Sequence, residues 1–108
     1  MKVHFEIEKL IAARALIEDP AHWCQGANAL DAAGNVCPTR SPEAVCWCAH
    51  GACFAVDAND AALRQVPGVY GHLQGYNDSH THADVLDLFT FAINSLLNAP
   101  NVGKLSNN

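Results

Sequence analysis

Apolar positions recur at helical spacing in two stretches near opposite ends of the chain. In residues 5–18, FEIEKLIAARALIE, Ile7, Leu10, Ile11 and Ile17 share one side while Glu6, Lys9 and Glu18 fall mostly elsewhere, and Asp19-Pro20 stops the run. Residues 82–98 carry the cleaner stripe, with Val85, Leu86, Phe89, Ala92, Ile93, Leu96 and Leu97 on one face. Thr81 and Asp84, three apart, approximate a capping box at its start, and Pro100 follows its end. Between the two, residues 42–56 are apolar nearly all round. Val45, Cys48, Ala52 and Val56 form one face, Trp47, Gly51 and Phe54 the next, and only Cys46, His50 and Cys53 are left over. Ser41-Pro42-Glu43 has the form of a helix opening, with a hydroxyl at the N-cap, proline at the first position and an acid in the first turn. A helix of that character is expected to be central and buried.

The remaining segments are shorter. GANALDAAGNVCPT alternates weakly around Gly34-Asn35, which fits either a hairpin with strands near 27–31 and 35–37 or an irregular loop. Asp57 and Asp60 are candidate caps for a short helix near 58–66, ended by Pro67-Gly68, and residues 69–76 allow another helical turn or two. The expectation is a mainly α, small single domain, 1–108. It has three to five helices around a central apolar helix, a short β-hairpin as an option, an ordered core over about 5–98 and a frayed tail at 99–108.

Composition narrows the function classes. The chain has 108 residues, half of them apolar, and a net charge of -5. One core is all that this length supports. Lys2, Lys9, Arg14, Arg40, Arg64 and Lys104 are scattered singly, so no clustered positive surface offers itself to nucleic acid. The N-terminal residues lack the continuous apolar run of a signal peptide or membrane span, so a cytoplasmic chain with no membrane partner is expected. In that compartment the five cysteines should stay reduced.

All five cysteines and both tryptophans lie within residues 23–53. The first reading of that run is packing, because cysteine behaves as a small hydrophobe. A second is a metal site. On a continuous helix Cys46, His50 and Cys53 would share one stripe and offer zinc three soft ligands, with Cys24, Cys37 or a loop histidine as a fourth. His80-x-His82, beside Asp78 and Asp84, is another such cluster. A third is catalysis by a Cys24 thiolate with His22 or His82 as base. A binding reading rests on two short motifs. If GYND at 75–78 meets HWCQG at 22–26, then Trp23, Gln25, Tyr76, Asn77 and Asp78 would line one concavity for a small polar ligand or a partner's side chain.

Taken in order, WCQG (23–26), Cys37-Pro38, SPEAVCWCAHG (41–51), YND (76–78) and THADVLDLF (81–89) resemble a family of small uncharacterised proteins from bacteria and their phages, the DUF6197-like domains of unknown function. The resemblance covers roughly residues 8–95 and implies no activity. It matches at Trp23, Gln25, Gly26, Cys37, Pro38, Trp47, Cys48, Gly51, Asn77, Asp78, Thr81 and Val85. It departs at Cys46, His50 and Tyr76, which weighs against a metal site on Cys46, His50 and Cys53 as the purpose of the fold. The expected function is therefore a small cytosolic, non-enzymatic interaction protein without a cofactor, phage-borne and acting on a host protein. A Cys24 enzyme and a zinc-stabilised module are the alternatives.

Overall fold

A computed structural model describes residues 2–98. Among them are five α-helices, one 3-10 turn and one two-stranded antiparallel sheet. The order is α1 (Lys2–Leu16), the 3-10 turn (Pro20–His22), β1 (Ala29–Asp31), β2 (Ala44–Trp47), α2 (Ala49–Ala55), α3 (Ala61–Arg64), α4 (Leu73–Ser79) and α5 (His82–Asn98). The mainly α expectation holds, with five helices and a small sheet. The frayed tail expected at 99–108 lies outside the described residues. Among the described residues no helix is long and apolar enough to cross a membrane.

The two amphipathic helices form where their stripes place them. Ile7, Leu10, Ala13, Val85, Leu88, Phe89, Ala92 and Ile93 are buried, and α1 packs on both α5 and α2. Ile11 and Leu97, counted in the stripes of α1 and α5, are instead exposed, and Ala13 takes the place of Ile11 in the core. The capping box at α5 is reciprocal. Asp84 N–H donates to Thr81 Oγ1 (3.1 Å) and Thr81 N–H to Asp84 Oδ2 (3.2 Å), so two otherwise orphaned donors are satisfied. His82 Nε2 donates to the Ile17 carbonyl (2.7 Å), tying the start of α5 to the end of α1.

The central helix expected over 42–56 is two elements. Ser41 does not cap a helix: its Oγ accepts from Glu43 N–H (3.1 Å) and its carbonyl from Ala44 N–H (3.1 Å), closing a turn. Beyond it Val45 is exposed, Cys46 buried and Trp47 half-buried, an in-out alternation that suits a strand and its β-branched and aromatic residues. Cys48 is the true N-cap, and its thiol sulfur accepts from Gly51 N–H (3.3 Å). Helix α2 then runs only to Ala55, and Asp57 leaves it in the left-handed region (φ 61).

The sheet is also rearranged. Ala29 and Leu30 face Trp47 and Cys46 of β2, whereas Val36, expected in the second hairpin strand, makes only an isolated bridge to Leu30. A second isolated bridge sets Trp23 parallel to Trp47, and Cys24 N–H donates to the Trp47 carbonyl (3.1 Å). The segment around residue 23 therefore lies along β2. The short helix expected over 58–66 is narrower, at Ala61–Arg64. Asp60 stands at its N-cap position without a side-chain capping bond, Asp57 lies outside it, and Asn59 Oδ1 accepts from Ala61 N–H (2.9 Å).

Candidate functional site

The two motifs read as candidate binding elements do meet. Segment 23–26, running beside β2, faces α4, which begins and ends later than the helical turn or two expected over 69–76. The junction is built around Asn77, whose side chain is fully buried. Its Oδ1 accepts from Trp23 Nε1 (2.8 Å) and from Ala49 N–H (2.9 Å), at the first turn of α2. Its Nδ2 donates to the Cys24 carbonyl (3.1 Å) and to Asp78 Oδ1 (3.1 Å). An amide offers two acceptor lone pairs and two N–H donors, so Asn77 is saturated, and a flipped amide would set its donors against Trp23 and Ala49. Gln25 Nε2 adds two bonds, to the carbonyls of Asn77 and His80 (both 3.0 Å). Gly26 N–H donates to Asp78 Oδ1 (2.9 Å), from a left-handed backbone (φ 82) suited to glycine.

Trp23, Gln25 and Asn77 thus bond to one another and to the backbone around them. They lock the 23–26 segment, α2 and α4 together as a latch. Tyr76 does not join them: its ring stacks on His80 with centroids 3.7 Å apart and planes 12° from parallel. Asp78 belongs to the latch through one oxygen only.

Beside the latch lies a cleft of about 310 Å³ lined by Gly26, Ala27, Asn28, Cys48, Gln74 and Asp78. Asn28 Oδ1 accepts from the Cys48 thiol (3.5 Å) and, at the long distance of 3.4 Å, from Gln74 Nε2. Behind Asn28 the backbone packs closely on Gly51, where any Cβ would collide with the Asn28 backbone carbonyl. Asn28 also lines a second groove of about 410 Å³ with Val36, Cys37, Pro38, Thr39, Arg40 and Phe54. There Arg40 donates from Nε (3.0 Å) and a terminal nitrogen (2.9 Å) to the Phe54 carbonyl, leaving Val36 and Phe54 as exposed apolar surface.

Asn28 and Gln74 were not singled out from the sequence. Single amides in GANAL and HLQGY give little signal. The one available clue is that Gln74 precedes Asp78 by four residues, which on a helix puts both on one face.

The thiols are placed differently from their candidate roles. The Cys24 thiol donates to the Ala27 carbonyl (3.7 Å), and no hydrogen bond among the described residues joins it to His22 or His82. Burial, with Cys46 and then Cys48 and Asp78 nearby, pushes it up to about 12. A thiol held protonated at neutral pH is a poor nucleophile. The stripe of Cys46, His50 and Cys53 does not exist as drawn, because Cys46 is on β2 while His50 and Cys53 are on α2. His50 Nδ1 lies 3.0 Å from Asp60 Oδ2, and burial pushes the Cys53 thiol up to about 12. The His80-x-His82 cluster is also divided, since His80 Nδ1 turns to the Tyr76 carbonyl (2.9 Å) and His82 to Ile17. Among the described residues, no group of three or more His, Cys, Asp or Glu side chains is placed to hold a metal ion.

No curated protein and no solved structure matches this chain. The family model described as "Family of unknown function (DUF6197)" matches residues 6–95, which includes every residue of the latch and the cleft, and the chain therefore belongs to that family.

Proposed function

We propose that this chain is a non-enzymatic interaction protein of the cytosol that receives a protein partner at the cleft beside the latch. The observation that carries this reading is the contrast in hydrogen-bonding capacity across α4. Asn77 spends all of its capacity on the fold, whereas Asp78 Oδ2 and Gln74 Oε1 accept from no protein donor among the described residues. Polar groups at a concave surface, with their bonding left open, are what a recognition site offers. Continuity through Asn28 into the groove edged by Val36 and Phe54 favours a protein over a small polar ligand, because an apolar patch beside a polar cleft suits an extended partner surface. The net charge of -5 favours a basic partner and disfavours nucleic acid. A phage-borne chain acting on a bacterial host protein is the setting that fits the resemblance. No observation favours the Cys24 enzyme or the zinc-stabilised module.

Site-specific photo-crosslinking in bacterial host lysate tests the reading. A photoreactive residue at Gln74 should give a discrete protein adduct, and one at Ala12, exposed on α1, should not. Equal labelling from the two positions, or no adduct at Gln74, contradicts it.

A further inference from the structure

The open acceptors of the cleft define the chemistry of what enters it. Asp78 Oδ1 is fixed by Gly26 N–H (2.9 Å) and Asn77 Nδ2 (3.1 Å), which holds the carboxylate and leaves Oδ2 with no donor among the described residues. Gln74 uses Nε2 toward Asn28 Oδ1 (3.4 Å), so its Oε1 is the end left over. Gln74 and Asp78 are one helical turn apart on α4, close enough for one small group to reach both. None of the six lining residues is basic. An anion would face the Asp78 carboxylate with no compensating charge.

Size and hydration then separate the cations. A cleft of about 310 Å³ is at the small end of ligand pockets, enough for the head of one side chain. A guanidinium is planar, presents N–H donors in a fixed fork and is more weakly hydrated than an ammonium, so it can bridge a carboxylate and an amide carbonyl at lower desolvation cost.

We infer that the cleft receives the guanidinium of an arginine side chain presented by the partner, with Asp78 Oδ2 and Gln74 Oε1 as its acceptors. This rests on the reading of the cleft as the binding surface. It adds that recognition there is of charge and fork geometry, with Asn28 and Cys48 as the walls.

The test uses the full chain labelled with 15N and two probes, Nα-acetyl-arginine amide and its neutral isostere Nα-acetyl-citrulline amide. A single side chain should bind weakly, on the order of millimolar. Arginine should shift the amide signals of Gly26, Ala27 and Asn28 and the Gln74 side-chain amide saturably, and citrulline should bind about ten-fold more weakly or less. Asp78→Asn keeps an acceptor for Gly26 N–H and should reduce arginine to the level of citrulline. Gln74→Ala, at an exposed position, should weaken arginine several-fold, to a smaller extent. Citrulline binding as tightly as arginine at the same signals would overturn the guanidinium inference while leaving the cleft as a binding surface. Arginine shifting none of these signals would also overturn it, and the cross-link at Gln74 then decides separately whether a protein docks there.

Discussion

Asn77 and Asp78 are neighbours in sequence and on α4, yet one faces the fold and the other faces outward. Asn77 is fully buried, and its side chain makes four hydrogen bonds, three of them to two other segments and one to Asp78 beside it. Asp78 is exposed and commits one oxygen to the same lattice. The difference teaches that a short polar motif can be structural at one position and free to recognise at the next. Proximity of Trp23, Gln25, Asn77 and Asp78 alone would not have divided them; counting the donors and acceptors that each has spent does.

Substitution can break the contrast at its structural end first. Asn77→Ala leaves Trp23 Nε1 and Ala49 N–H without their acceptor and deletes Asn77's own donors, at a fully buried position. We expect a loss of about 3–5 kcal/mol, read as a shift of the urea midpoint at unchanged slope. For a domain of this size that is a large share of the total stability. Next in size is Gly51→Ala, about 3 kcal/mol, because the added carbon meets the Asn28 backbone carbonyl rather than a flexible side chain. A Gly51→Ala protein as stable as the parent would show that the cleft wall is not held there.

A third polar cluster gives a smaller effect with a characteristic pH dependence. Burial alone would raise the Asp60 carboxyl, but hydrogen bonds from Arg64 and His50 outweigh it and hold the group below its ordinary value. A carboxyl depressed in the folded state contributes stability that is present above its unfolded pKa and is lost as pH falls through the folded one. The stability difference between the parent and Asp60→Asn should therefore be about 1 kcal/mol or less near neutrality and shrink from about pH 5 downward. A difference that grew on acidification would contradict the sign. Smallest of all, Asp78→Asn should shift the urea midpoint by less than about 0.5 kcal/mol, since an amide oxygen can still accept from Gly26 and Asn77.

How much of this was legible depended on whether a signal was local. Helix α5 could be read because Thr81, Asp84 and the apolar stripe agree within one segment. Helix α2 was misplaced because Ser41-Pro42-Glu43 carries the residue types of a helix start, while the hydroxyl closes a turn and the cap is a thiol, at Cys48. Strand β2 was hidden inside an apolar run, where period two and period 3.6 cannot be told apart until Ala29 and Leu30 supply a partner. The meeting of WCQG with YND was foreseeable as a pair of motifs. Tyr76, by contrast, was assigned to the concavity and stacks on His80, a choice between two neighbours that only three-dimensional packing makes. Asn28 and Gln74 were missed for the same reason, since a lone amide acquires meaning only from what it faces.

The central claim is that Asp78 serves recognition while its neighbour serves the fold. Its most direct test is the yield of the Gln74 photo-crosslink in the Asp78→Asn protein relative to the parent, with folding of both confirmed by their urea midpoints. We predict that the adduct falls by about ten-fold while the midpoint stays within about 0.5 kcal/mol of the parent. An undiminished adduct in the folded variant would contradict the account.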